Sequence, residues 1–140
     1  KETERLNLKN IRLEGFISGE KKTRLLASLT CLVVPSDFEN FGIIIPEALL
    51  QEIPVIASTG SPWKDLNTYQ CGWWVNNDLG SLTTAVQEAL SLDREVLDKM
   101  GKRGRQLVLD KYSVDVVSPQ MEQLYAWIAG RGDKPEFVYD

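Results

Sequence analysis

The chain has 140 residues, 43% of them hydrophobic and 26% charged, with a formal net charge of −4. That describes one globular domain able to bury about 70% of its unfolded surface, and it excludes a disordered polymer or a protein that wraps a nucleic acid backbone. There is no histidine, which removes Ser-His-Asp, Cys-His and histidine-based metal chemistry and leaves acid–base roles to Asp, Glu, Lys, Tyr or Cys.

Residues 1–10 are charged and polar and lack an initiator Met, so no signal peptide is expected and a cut chain is. Residues 11–17 read as a strand, with Ile11, Leu13, Phe16 and Ile17 apolar and Gly15 interrupting. Gly19 and Glu20 start a helix running to about Leu29, in which Lys21 and Lys22 are expected to be solvated. Residues 31–34 form an apolar strand stopped by Pro35, of the kind buried on both faces. Cys31 opens it as an expected buried thiol. With only Cys71 as a distant partner there is no disulfide framework, and a reducing cytoplasm is the simpler setting.

After a polar loop, residues 42–51 read as a helix with Pro46 in its first turn, where a missing N–H is tolerated. Residues 54–57 make a short strand, 58–62 a small-residue loop, and 72–75 a fourth strand. Trp73 and Trp74 should face opposite sides of that strand, one toward the core and one toward a covering helix. Three helical patterns follow. They carry Leu82, Val86 and Leu90, then Leu97, Met100, Leu107 and Val108, then Met121, Leu124, Tyr125 and Ile128. The basic run 99–105 is interspersed with acidic neighbours and reads as a solvated face. The last helix is capped by Ser113, with Pro119 as a kink, or by Ser118, with Pro119 at its first position. Its apolar stripe is expected to be core, with the alternative that part of it is left exposed and sticky.

Strand–helix alternation with short connections predicts an α/β fold, a Rossmann-like doubly wound parallel sheet with a helical C-terminal tail. Ligands of such sheets bind beyond the carboxyl ends of the strands. The densest chemistry there is the segment 35–49, which leaves a strand, crosses a loop and enters a helix between two carboxylates, Glu39 and Glu47. A carboxylate can accept paired hydroxyl donors, a helix entry offers N–H groups to phosphate, and Gly42 lets the backbone approach a ligand.

Glu39 and Glu47 with the residues between them resemble the Glu-x7-Glu motif of retaining glycosyltransferases with the two-domain GT-B fold. Pro54-Val55-Ile56-Ala57-Ser58 with Gly60, and Gly72-Trp73-Trp74-Val75, resemble the following strands of that family. The match runs in order from about Asn10 to Tyr125. Ser61-Pro62-Trp63 and the tail Leu124-Tyr125-Ala126-Trp127 are similar to a subset of bacterial enzymes that build surface polysaccharide or lipopolysaccharide. Two positions depart from the family, which commonly has a small residue where Asn40 stands and Gly where Glu52 stands. Asn40 is open between a hydrogen bond to the sugar and a helix cap, and Trp63 between a ligand-side position and packing.

The resemblance implies that residues 1–140 are a single nucleotide-sugar-binding domain of a larger enzyme whose N-terminal acceptor domain is absent. It implies a nucleoside diphosphate sugar as donor, no other cofactor, no metal, no nucleic acid partner, and a glycan or lipid-linked acceptor. Glu39 would lie near the donor sugar as the residue closest to catalysis. Asn40, Phe41, Gly42 and Ile43 would line the sugar and diphosphate, and Glu47 would accept from the ribose hydroxyls. Ile17 and Ser18 would meet the base, mainly through backbone. An Arg and a Lys that clamp the diphosphate in that family lie upstream of the matching region. The fragment is expected to bind weakly and turn over nothing measurable, and the full enzyme to be cytoplasmic, with peripheral attachment to the inner membrane face left open. Three rivals stand beside this reading: a nucleotide-sugar-sensing module, a signalling domain with surface glutamates, and half of a nucleotide-sugar epimerase.

Overall fold

A computed structural model describes residues 7–139. Three parallel strands, β1 (Leu32–Val34), β2 (Val55–Ser58) and β3 (Gly72–Val75), lie in the order β1-β2-β3. The helices are α1 (Gly19–Ala27), α2 (Ile44–Leu50), α3 (Asp65–Thr68), α4 (Leu79–Ser91), α5 (Arg94–Lys111) and α6 (Val114–Ile128). Leu32 pairs with Val55, and Val55 with Gly72, so the three carboxyl ends finish on one side of the molecule.

β2 is central and all four of its residues are buried. Because strand side chains alternate, Val55 and Ala57 enter one core while Ile56 enters another. The first core gathers Leu26 of α1, Ile45, Ala48 and Leu49 of α2, Trp63, Leu66 of α3, and Leu107 and Val108 of α5. The second gathers Ile56, Trp73, Ala85 and Ala89 of α4, and Leu97 and Met100 of α5. Trp73 packs in the second core and Trp74 against the first, the opposite-face arrangement expected of them. Helix α5 contributes to both cores, its first half to one and its last turns to the other. Helices thus cover both faces of the sheet, as the alternation predicted.

Several expectations are corrected. Residues 11–17 are not a strand: Ile11, Leu13 and Phe16 are 47%, 82% and 95% exposed. A strand is stabilised by a ladder and a buried face, and this segment has neither among the described residues; Gly15, at φ +66°, also interrupts the extended backbone. Among the described residues β1 pairs with β2 alone, and it is not buried on both faces, since Val33 is exposed. The fully buried thiol is Cys71, where burial pushes the pKa up to about 11, while Cys31 is half-buried. On α4, Leu90 is exposed and the smaller Ala85 and Ala89 face the core. No residue of α6 is buried, so its apolar stripe is not core. That helix starts after Ser113 and carries Pro119 in its interior.

The basic run on α5 is only partly a solvated face. The Arg103 guanidinium donates to the carbonyls of Tyr69 and Gln70, at 3.1 and 2.9 Å from Nε, and Arg105 donates to the carbonyl of Leu50 at 2.7 Å. Both arginines therefore satisfy carbonyls at the C-terminal ends of α3 and α2. Among the described residues no helix is long and apolar enough to cross a membrane.

Candidate functional site

Three loops leave the carboxyl ends of the strands, and they are tied to one another. The Ser58 hydroxyl donates to the Ser36 carbonyl, and the Glu39 amide donates to the Gly60 carbonyl at 2.8 Å. Asn77 donates from Nδ2 to Asp37 Oδ1 at 2.7 Å, and the Thr59 amide donates to Val75 at 2.8 Å. A Cβ on Gly60 would stand 2.4 Å from the carbonyl oxygens of both Ser36 and Asp37, so only glycine allows this approach. The loop bearing Glu39 is thereby fixed in place by the loops after β2 and β3.

The far end of the same loop rests on aromatic rings. Phe41, Trp63 and Tyr112 pack mutually, with ring centroids 5.1, 5.6 and 5.0 Å apart. The Trp63 indole N–H donates to the Phe41 carbonyl, and Trp74 donates from its indole to Ser61 at 2.9 Å. Trp63 is fully buried, which decides its role: it packs under the loop and does not face a ligand. Beneath the rings, Asp65 accepts from Lys111 Nζ at 2.9 Å and from the Tyr112 hydroxyl at 3.2 Å. The hydrogen bond to Asp65, then Tyr69, holds the Lys111 pKa above its ordinary value. Burial, then the Asp65 charge, raises that of Tyr112.

On this base stands the Glu39–Glu47 segment. Gly42 is buried with φ +72°, and a Cβ there would lie 2.9 Å from Cγ of Glu39, so the Glu39 stem lies across Gly42. Among the described residues the amide N–H groups of Phe41, Gly42 and Ile43 find no acceptor. Asn40 is exposed and is not the cap: the α2 N-cap is Ile43, with no side-chain capping bond. Glu47, the fourth residue of α2, is half-buried. Its Oε1 accepts from Lys22 Nζ at 2.5 Å, so Lys22 is an ion-pair partner rather than a freely solvated lysine. Its Oε2 is buried, with no hydrogen-bond partner among the described residues.

A cavity of about 210 Å³ lies beside this pair, between α1 and α2, lined by Lys22, Thr23, Leu26, Glu47, Leu50 and Gln51. Ile17 and Ser18 form the connection into α1, half-buried and exposed, and neither hydrogen-bonds to either glutamate. Sequence reasoning missed Lys22 and the aromatic support, because both are brought to the segment only by packing. A larger surface groove, about 770 Å³, runs along the outer side of β3 past Trp73, Trp74 and Glu88. It shares no residue with the Glu39–Glu47 segment. Within it, Asn67 closes the strand edge by accepting from the Trp74 amide at 2.8 Å and donating to the Trp74 carbonyl at 3.1 Å.

Against known proteins, the sequence profile described as "Glycosyl transferases group 1" matches residues 1–107. The chain belongs to that family. Relatives within it include the alpha-1,3/1,6-mannosyltransferase alg-2 of Neurospora crassa, 30% identical over 106 residues, covering 74% of this chain and 22% of that protein. Human alpha-1,3/1,6-mannosyltransferase ALG2 is 30% identical over 112 residues, covering 79% and 26%. Among solved structures, a sucrose-phosphate synthase from Thermosynechococcus elongatus superposes with a TM-score of 0.81 at 28% identity, over 91% of this chain and 33% of its own. The α/β architecture of the GT-B type is therefore the fold of this family member. The chain spans about a quarter of the length of the curated relatives named here.

Proposed function

We propose that this chain is the donor-binding half of a retaining glycosyltransferase. It would hold a nucleoside diphosphate sugar at the carboxyl ends of β1 and β2 for transfer to a glycan or lipid-linked acceptor. Glu47 takes the ribose hydroxyls, and Glu39 and Asn40 lie beside the donor sugar. The free N–H groups of Phe41, Gly42 and Ile43 face the sugar or diphosphate, and Ile17 and Ser18 meet the base. An acceptor domain elsewhere in the longer protein would close over this face. Preorganised N–H groups would stabilise the negative charge that develops on the departing diphosphate. The names of the relatives favour a mannose-bearing donor. A lipid-linked acceptor would put the full enzyme at the cytoplasmic face of a membrane.

The observation that carries this reading is the buried Oε2 of Glu47 without a donor. Such an oxygen is costly to bury unpaired, and a vicinal diol supplies the missing O–H donors. A surface glutamate of a signalling domain would be satisfied by water. The test is a titration with UDP, GDP, ADP and their glucose and mannose conjugates, followed by amide chemical shifts. Shifts at residues 39–47 with one base preferred, abolished by Glu47→Ala, are expected. No binding of any nucleotide at millimolar concentration, by this chain and by the full-length protein alike, would overturn the reading. Binding without sugar transfer in the full-length protein would select the sensing module or the epimerase half.

A further inference from the structure

Among the described residues Glu47 is held from one side only. Its partner Lys22 comes from a different helix, 25 residues earlier in the chain, and the two side chains are exposed to a similar, partial degree, 32% and 33%. The other basic residues of α1 point elsewhere. Arg24 pairs with Glu20 on the exposed face, and Lys21 lies 4.0 Å from Glu14. Lys22 thus joins α1 to α2 at the carboxylate whose second oxygen is buried and unpartnered. A glutamate has three rotatable side-chain bonds, the last with a broad preference. Holding Oε1 fixes where Oε2 points. An ammonium donates without accepting, so it uses one of about four acceptor positions on the carboxylate and leaves the rest open.

We infer that Lys22 is a positioning residue for the donor site: by holding Oε1 it presents Oε2, and the remaining lone pair of Oε1, to the vicinal hydroxyls of the nucleoside ribose. This rests on the donor-site reading above. An ordinary half-exposed ion pair would contribute little to stability and nothing specific to ribose. The two roles therefore differ in what they do to ligand binding.

The test measures dissociation constants, by amide shifts of this chain, for the preferred nucleoside diphosphate and for its 2′,3′-dideoxy counterpart. Lys22→Met, which keeps the stem and removes the donor, is expected to weaken the ribonucleotide about tenfold. It should leave the weaker dideoxy binding unchanged. Lys22→Arg restores most of the loss, and Lys22→Met adds nothing in a Glu47→Ala background, because the two act as one unit. Retained dideoxy binding shows that the variant is folded. Equal weakening of both ligands would overturn the inference, assigning Lys22 to phosphate charge or to folding. Unchanged ribonucleotide affinity in Lys22→Met, with affinity lost in Glu47→Ala, would overturn it while leaving the donor site standing. Unchanged affinity in Glu47→Ala would remove the donor-site reading itself, and the inference with it.

Discussion

At the scale of single residues, Glu52 stands where the family resemblance leads one to expect glycine, and the structure gives the consequence. Glu52 follows the C-cap of α2 at φ +61°. Its amide bonds back to Leu49 at 2.9 Å and that of Ile53 to Ala48 at 3.1 Å, the paired closure that favours glycine at this position. A residue with a Cβ is strained there. Glu52→Gly is therefore expected to stabilise the fold by about 0.5–1 kcal/mol, net of the added freedom of glycine in the unfolded chain. A higher urea midpoint with an unchanged slope would confirm it, and a lower midpoint would refute it. The two glutamates of the candidate site and Gly42 were singled out by the resemblance of their segment to the Glu-x7-Glu motif, since two glutamates eight apart carry no signal alone. Lys22 was not, since nothing in a run of two lysines says which one crosses to another helix. Trp63 was left open because burial is a property of the packed molecule.

At the scale of elements, helix α4 shows how one side chain fixes a start. Asp78 Oδ1 accepts from the Ser81 amide at 2.8 Å and Oδ2 from the Ser81 hydroxyl at 2.7 Å. The amide bond, then the hydroxyl bond, holds the Asp78 pKa below its ordinary 3.8. The folded state therefore favours the ionised form. Its stabilising effect is complete above the ordinary value and is lost as pH falls through the lowered one. Asp78→Ala should destabilise the chain at neutral pH, and the deficit should shrink as pH falls below the ordinary carboxylate value of 3.8; a pH-independent deficit in denaturant midpoints would contradict the cap. β3 and the body of α5 lay where their patterns put them, because continuous or 3.6-period burial leaves a clear trace. The segment 11–17 had strand composition but no ladder, and composition cannot supply a neighbour.

At the scale of the whole molecule, the two cores leave one helix unburied. On α6, Val114, Tyr125 and Ile128 are 76%, 62% and 67% exposed, and exposed Leu13 and Phe16 add apolar surface elsewhere. Apolar surface of this kind promotes association. The 140-residue chain is expected to sediment in a concentration-dependent way and to bind a hydrophobic dye, both reduced in the double variant Tyr125→Ser, Ile128→Ser. Ideal monomer behaviour of the unsubstituted chain would disprove it.

Legible without any structure were the α/β class and three of the four expected strands, read at 31–34, 54–57 and 72–75 and found at 32–34, 55–58 and 72–75, together with the segment holding Glu39, Gly42 and Glu47. The strands rest on local pattern, apolar runs too short for helices and bounded by turn residues, while the segment rests on its likeness to a family motif. Packing alone settled that Val33 of β1 is exposed, that the stripe of α6 lies outside both cores, that Trp63 supports the loop from below, and that Lys22 grips Glu47. Those facts depend on which surfaces meet across tens of residues. A side chain's period along its own element says which way it faces, but not what, if anything, comes to cover it.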